Sequence, residues 1–331
     1  MATTTKLSAV IACFFDTQAI PYMHKRLSEA FACCGTDYEI IFVNNGSPDN
    51  CDEVLKGITA QDDHVVALEL SRNFGSQSAF LSGMQIATGD AVILLDGDLQ
   101  DPPELIPQMF AKWQEGYEVV YGRRVKRDTK RFLGWCYKAF YRVFREMAYV
   151  PMPVDAGDFS LMDRRVVNVL LALPETDQFL RGLRAWVGFN QTGVDYVRPE
   201  RMFGRTTNNW RKNIWWAKKG IFSFSFVPLE LLTYFAALVT VLSFLAGVYQ
   251  VGYRLTHPGM PAGVTTLMIL ILFFGGVQLL AVSIIGEYLM KIFEETKARP
   301  KYLRKAIRQG GKHYRTAEQV DEFLRRRDEA T

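Results

Sequence analysis

Two uncharged stretches near the end of the chain limit its possible folds more than any other feature. Leu231–Tyr253 and Val264–Gly286 are each 23 residues long and contain no Asp, Glu, Lys or Arg. At about 1.5 Å of helical rise per residue, either run crosses a hydrocarbon core roughly 30 Å thick. A buried hairpin in a soluble domain needs no two such runs, so two transmembrane helices are expected. The link between them, 254–263, holds Pro258, Pro261 and one charge, Arg254, whereas 291–331 carries twelve Lys and Arg. An excess of Lys and Arg marks the cytoplasmic side, and two spans return a chain to the side it left. The N-terminal region and the tail are therefore both expected in the cytoplasm, at an inner (plasma) membrane.

The preceding part of the chain reads as an α/β domain. Short apolar runs suggest strands at 7–14, 38–44, 65–70, 91–95 and 118–122, alternating with helices at about 21–34, 52–60, 76–88 and 103–115. Such alternation implies a mostly parallel sheet with crossover connections and ligands at the carboxyl ends of the strands. Asn44-Asn45, Arg72-Asn73 and Asp96-Gly97-Asp98 all fall there. Charged residues make up 22% of the chain, which excludes a wholly embedded protein, and a net charge of +4 is too small to argue for nucleic acid. Five cysteines (Cys13, Cys33, Cys34, Cys51, Cys136) and four scattered histidines show no zinc spacing, so reduced thiols are expected. The polar start, Met1 to Lys6, runs directly into a strand, and no signal peptide is expected.

Residues 90–104, Asp-Ala-Val-Ile-Leu-Leu-Asp-Gly-Asp-Leu-Gln-Asp-Pro-Pro-Glu, carry the clearest chemistry. A strand buried on both faces ends in two acids, and alternate residues at a strand end aim side chains at one point. Gly97 between them admits a ligand close to the backbone. Oxygen-only ligands, Asp96 and Asp98 with Gln100 as a third, suit Mg²⁺ or Mn²⁺ bridging to substrate phosphates. The plainer reading, a cap for the next helix, is weakened because Pro102, Pro103 and Glu104 already form a helix start of their own.

Two basic, aromatic segments follow. Between Arg123 and Arg145 there are nine Lys and Arg against one acid, Asp128, interleaved with Phe132, Trp135, Phe140 and Phe144. Residues 201–222 repeat the pattern with Arg201, Arg205, Arg211, Lys212, Lys218 and Lys219 among Trp210, Trp215 and Trp216. Tryptophan beside Lys and Arg is what a headgroup region selects. Each segment is expected to lie in the membrane interface, the alternative being an ordinary packed surface helix. The resulting division is a catalytic domain at 1–200 (with an interfacial helix at about 129–149), a second interfacial segment at 201–228, two spans at 229–290 and a basic tail at 291–331.

Leu70-Ser-Arg-Asn-Phe-Gly75, Leu95-Asp-Gly-Asp-Leu-Gln-Asp-Pro-Pro-Glu104, Phe179-Leu-Arg-Gly-Leu-Arg-Ala-Trp-Val-Gly-Phe189 and Arg198-Pro-Glu-Arg-Met-Phe-Gly-Arg205 closely resemble the polyprenyl-phosphate glycosyltransferases. These are relatives of dolichol-phosphate mannose synthase with a GT-A catalytic domain, and the chain is most similar to the bactoprenol glucosyltransferases among them. The resemblance covers nearly the whole chain. It implies that Asp96 and Asp98, assisted by Gln100, hold a divalent ion on the donor diphosphate. It also implies that Ala12, Phe14, Asp16, Asn44, Asn45 and Arg72 grip the nucleotide, and that Asp158 faces the acceptor. Asp98 and Asp158 are thus the expected catalytic acids. Arg123, Arg131 and Lys138 are the candidates for the acceptor's lipid phosphate, and Arg201 and Arg205 for either the acceptor or the donor phosphate, the alternative for several of them being lipid headgroups alone. The chain departs from the family at Ala12-Cys-Phe-Phe-Asp16 and at Asn44-Asn45-Gly-Ser47, where relatives read Pro-x-Tyr-Asn-Glu and Asp-Asp-Gly-Ser.

The expected reaction moves a hexose, glucose from UDP-glucose, onto undecaprenyl phosphate with inversion. The same reaction with GDP-mannose, or a nucleotide-sugar-binding membrane subunit without catalysis, are the alternatives. A processive polysaccharide synthase fits less well, because Gln178-Phe-Leu-Arg181 is followed by Gly182 rather than tryptophan. A homo-oligomer is compatible with all of these.

Overall fold

In the computed structural model, which describes residues 5–125, 153, 156–176, 178–203, 225, 227–256 and 263–329, five strands fall where the sequence places them. These are β1 (Lys6–Cys13), β2 (Asp37–Asn44), β3 (Val65–Leu70), β4 (Ala91–Asp96) and β5 (Val119–Arg124). Four further strands join them: β6 (Ala156–Asp163), β7 (Gln191–Tyr196), β8 (Arg304–Gln309) and β9 (Lys312–Tyr314). All belong to one nine-stranded sheet in the order β7-β5-β6-β4-β1-β2-β3-β8-β9. The central β3-β2-β1-β4 run is parallel, as the alternation implies. β6 enters antiparallel between β4 and β5, while β7 pairs parallel with β5.

Helices α1 (Ile20–Cys34), α2 (Cys51–Thr59), α3 (Ser76–Ile86), α4 (Ile106–Gln114), α5 (Arg164–Ala172) and α6 (Leu180–Trp186) accompany the sheet. α1 shows why. Ile20, Met23, Leu27 and Phe31 recur at helical spacing and are fully buried, and the helix stops at Gly35 in the left-handed conformation (φ 64°). The helix expected over 103–115 divides into a single 3-10 turn, Pro103–Leu105, followed by α4. Pro107 causes the break, because it has no N–H to donate and is accommodated only in a helix's first turn. The central strands are buried on both faces, with Val10, Ile11, Ile40, Ile41, Ile93 and Leu95 essentially inaccessible.

The apolar runs form α7 (Val227–Thr256) and α8 (Val264–Thr296), with spans long and apolar enough to cross a membrane at Val227–Tyr249 and Leu270–Thr296. No residue of either hydrophobic window is fully buried by protein. α8 continues past the uncharged run ending at Gly286, and past the expected span end at 290, to Thr296, and its 33 residues measure about 50 Å, longer than the hydrocarbon alone requires. The interfacial segment at 129–149 and most of 201–228 lie outside the described residues, as do Arg131, Lys138, Arg205, Cys136 and the three tryptophans of the second segment. Cys13, Cys33, Cys34 and Cys51 are free thiols.

The tail is more than a basic extension. β8 pairs antiparallel with β3, and α9 (Ala317–Asp328), closed by a Thr316/Gln319 capping box, packs behind it. Ala306 and Ile307 are buried, and the basic residues find carboxylates on the domain. Lys305 meets Glu69 at 2.6 Å, Arg308 meets Asp52, and Arg327 meets Glu39. Glu39 is 3% exposed and also accepts from Ser8 and Thr88. Burial alone would raise its carboxyl, yet Arg327, Lys6 and these hydrogen bonds hold it below the usual carboxylate range.

Arg327→Ala leaves that carboxylate buried and short of its main partner, an arrangement that costs about 3–5 kcal/mol. The expected result is a clearly lowered thermal unfolding midpoint in detergent. Because the folded Glu39 titrates below its unfolded value near 4.3, its stabilisation is present above that pH and disappears as pH falls through the folded value. Unfolding midpoints measured across the acid range should therefore fall less steeply in Glu39→Gln than in the parent.

Candidate active site

The register of the parallel strands brings three loops to one level. Ala12 lies opposite Asp96, and Cys13 opposite Asn44, so the chain leaves β1, β2 and β4 side by side. β6 runs the other way, and its first residues, including Asp158, arrive at the same end of the sheet.

The loops after β1, β2 and β3 form a connected lattice. Phe15, in the left-handed region at φ 61°, donates its N–H to Ser47 Oγ at 2.8 Å, and Ser47 donates to Asp49 at 2.6 Å. Asp49 also accepts Thr17 N–H, and Asp16 accepts Phe14 N–H. Burial pushes the Asp16 carboxyl up to about 6. Asn44 and Asn45 are both buried. Asn44 Oδ1 accepts Ser47 N–H, while Asn45 accepts Phe74 N–H and donates to Asn73. Both amides therefore fasten loops as well as facing the pocket end of the sheet. The Arg72 guanidinium lies 3.9 Å from the centre of the Phe74 ring. Gly46 (φ 65°) sits where a Cβ would come within 2.4 Å of the Arg72 carbonyl carbon, so only glycine lets these two loops meet.

The acids form the centre. Asp98 is 5% exposed, accepts Gln100 N–H at 3.1 Å and binds Arg201 at 2.7 Å. Arg198 lies 3.9 Å from both Asp96 and Asp98, and its buried Nε has no hydrogen-bond partner. Gln100 donates its amide to the Pro199 carbonyl, tying this segment to the turn after β4. Arg201, a candidate for the lipid phosphate on sequence grounds, is thus placed on Asp98. Asp101 is almost completely buried, accepts Tyr196 OH at 2.8 Å and lies 3.9 Å from Arg124. Asp158, also buried, takes two bonds from Arg181 at 3.0 and 2.9 Å and one from Gln77 at 3.2 Å. Arg123 is paired with Asp195 at 2.5 Å on the exposed edge.

These surroundings set the charges apart. Asp96 keeps a third of its side chain open, yet burial and then the charges of Asp101, Asp158 and Asp98 push its carboxyl up, with Arg198 opposing. For Asp158 burial pushes upward too, but Arg181, Arg184 and Gln77 prevail and hold it below the usual range. Burial and like charge around Asp96 favour added positive charge there, and Arg198 supplies part of it from 3.9 Å. The donor set fits a divalent ion only in part. Among the described residues no three His, Cys, Asp or Glu side chains converge as a closed cage, so ligand phosphates would have to complete the shell, as Mg²⁺ commonly requires.

Arg198, Arg181, Gln77, Asp101 and Tyr196 were not singled out as site residues from the sequence. Gln178-x-x-Arg181 and Arg198-x-x-Arg201 are visible as motifs, but nothing in their spacing tells which acid each arginine meets.

Residues 8–171 match the family described as glycosyl transferase family 2. The chain is similar to an uncharacterized glycosyltransferase of Synechocystis, 41% identical over 91% of this chain and 95% of that one. It is similar to an uncharacterized glycosyltransferase of Bacillus subtilis, 40% identical over 92% and 94%. It is also similar to the bactoprenol glucosyl transferase of Shigella phage SfX, 38% identical over 91% and 99%.

Gly46→Ala separates close approach from mere backbone preference. The positive φ costs on the order of 1–3 kcal/mol, and the 2.4 Å clash with backbone adds to it. Gly35→Ala, at φ 64° with nothing within 4 Å, pays only the first cost. Thermal unfolding should show Gly46→Ala clearly below Gly35→Ala.

Proposed function

The chain belongs to glycosyl transferase family 2, and we propose that it transfers glucose from UDP-glucose to undecaprenyl phosphate at the cytoplasmic membrane face, with inversion. The observation that carries this reading is the pairing of two charged centres at one end of the sheet. Asp96 and Asp98 lie under Arg198 and Arg201, and Asp158 lies under Arg181, in a chain that continues into two apolar spans. The similarity to the bactoprenol glucosyl transferase of Shigella phage SfX supports the sugar and the lipid acceptor.

The donor diphosphate belongs beside Asp96 and Asp98, with Arg198 and Arg201 reading its charge and the loops at 12–16, 44–49 and 72–75 enclosing the nucleoside. Asp96 and Asp98, with Gln100 adjoining, would hold a Mg²⁺ or Mn²⁺ ion, and that ion would supply neutralisation of the charge collecting on the departing diphosphate. The acceptor's phosphate monoester has a second pKa near 6 and needs no strong base. That suits Asp158, which Arg181 keeps ionised and rigid, to a role in orienting the attack. A phosphate oxygen forms the new bond to C1 from the face opposite UDP, and the C1–O bond to UDP breaks with its electron pair. Arg123, Arg131, Lys138 and Arg205 are proposed to meet the lipid phosphate or the headgroups around it.

The pairing of β8 with β3 supports the topology. Tail and catalytic domain share one sheet, so the chain between them must cross the bilayer an even number of times. The Lys and Arg of the tail favour the cytoplasm as that side.

Label from UDP-glucose should pass to undecaprenyl phosphate with purified protein in detergent, and EDTA should abolish it. Asp96→Asn and Asp98→Asn should each lower turnover at least about 100-fold, the scale of removing a principal electrostatic element. Undiminished transfer in both variants would refute the metal assignment. Transfer from GDP-mannose alone would keep the mechanism and replace the donor.

A further inference from the structure

The second apolar helix ends on the catalytic domain at a consequential place. Both carboxylate oxygens of Glu295, in the last turn of α8, accept the N–H of Thr176, at 3.0 and 2.8 Å. Just beyond the helix, Lys301 Nζ donates to the Leu173 carbonyl at 2.7 Å. Leu173 and Thr176 lie between α5 and α6, and the buried Gln178 donates to the same Leu173 carbonyl.

The next residues reach Asp158. Leu180 N–H donates to Gln77 Oε1 at 2.8 Å, and the other end of that amide donates to Asp158 at 3.2 Å. Arg181, next in sequence, makes the bidentate contact with Asp158. An ionised carboxylate gripping one backbone amide makes a strong, directional bond. It fixes the chain four residues before Leu180 and five before Arg181.

We propose that Glu295 and Lys301 are positioning residues, holding the segment that delivers Leu180 and Arg181 to Gln77 and Asp158 so that the seating of α8 in the membrane sets the acceptor side of the site. The inference rests on the transferase reading above for its kinetic consequence, but not for its structural one. Because α8 carries the apolar span and the lipid acceptor resides in the bilayer, its last turn is, among the described residues, a direct link between acceptor depth and Asp158. Donor-side residues Asp96, Asp98, Arg198 and Arg201 are attached through β4 and the segment after β7, and do not depend on this link. Losing the Glu295 contact should therefore impair turnover without loosening the donor.

The test uses the full chain in detergent or nanodiscs, with Glu295→Ala, Glu295→Gln, Lys301→Ala and the neighbouring Glu294→Ala as control. Hydrogen–deuterium exchange should accelerate at the amides of Thr176 and Leu180 in Glu295→Ala, with β1 and β4 unchanged. A displacement near 1 Å can cost about 100-fold in rate, so kcat should fall about 10- to 100-fold in Glu295→Ala while UDP affinity stays within twofold. Glu295→Gln, which keeps an acceptor oxygen, should recover part of the rate, and Glu294→Ala should match the parent. Unchanged exchange at Thr176 and Leu180 in Glu295→Ala would overturn the proposal, as would parental kcat or a parallel loss of UDP binding. If the parent itself transferred no sugar, the function above would fall while the exchange experiment still decided the positioning claim.

Discussion

Carboxylates of like charge gathered in a partly dry place are the constraint on which this structure depends. Asp96, Asp98, Asp101 and Asp158 influence one another at the carboxyl end of the sheet, and three of the four are almost wholly buried. Unpaired, each would carry a desolvation cost of several kcal/mol. The protein answers with Arg124 and Tyr196 at Asp101, Arg181 and Gln77 at Asp158, and Arg198 and Arg201 at Asp98. Asp96 is the acid left least compensated. It is also the most open of the four, which is where added positive charge lowers the energy most.

The second constraint is the pair of long apolar helices, which are candidate membrane spans, and the tail is how the fold meets them. Two spans with exposed apolar sides add nothing to the packing of the sheet. The chain nevertheless returns from them to supply β8 and β9, covering the edge that β3 would otherwise present to solvent. Arg308 on Asp52, Lys305 on Glu69 and Arg327 on Glu39 fasten that return at well-separated points. The catalytic domain is thereby held at both ends of its sequence, and the orientation of α8 relative to the site is fixed by bonds rather than by a loose tether.

The parallel centre of the fold and the acids at the end of β4 were legible because both rest on local patterns. An apolar strand of both-sided burial ending in Asp-Gly-Asp announces itself within a few residues. β6, β7 and β8 were not legible, since nothing local in Ala156–Asp163 says that it inserts antiparallel between β4 and β5. The tail's charge disguised a strand, because Arg304, Lys305 and Arg308 read as solvated basic residues until their partners on β3, α2 and α3 are known. The same limit applied at the site. Asp158 was reached through family resemblance, but Arg181 and Gln77 meet it across 23 and 81 residues of sequence. Arg201 was assigned a phosphate without any indication that Asp98 lies beneath it.

The choice of arginine at each acid follows from geometry as much as from charge. At Asp158 the planar guanidinium makes two parallel bonds, which fix orientation as well as position. A lysine would satisfy the charge and leave the carboxylate free to rotate. At Asp98, Arg201 makes a close contact while Arg198 remains 3.9 Å from both acids with an unpartnered Nε. Arg201 is therefore already engaged with Asp98, and Arg198 keeps an Nε donor for a ligand. That contrast separates the two sides of the site: Asp158 sits in a finished arrangement that holds its shape, while the Asp96/Asp98 side still has charge and donors to be completed by what binds there.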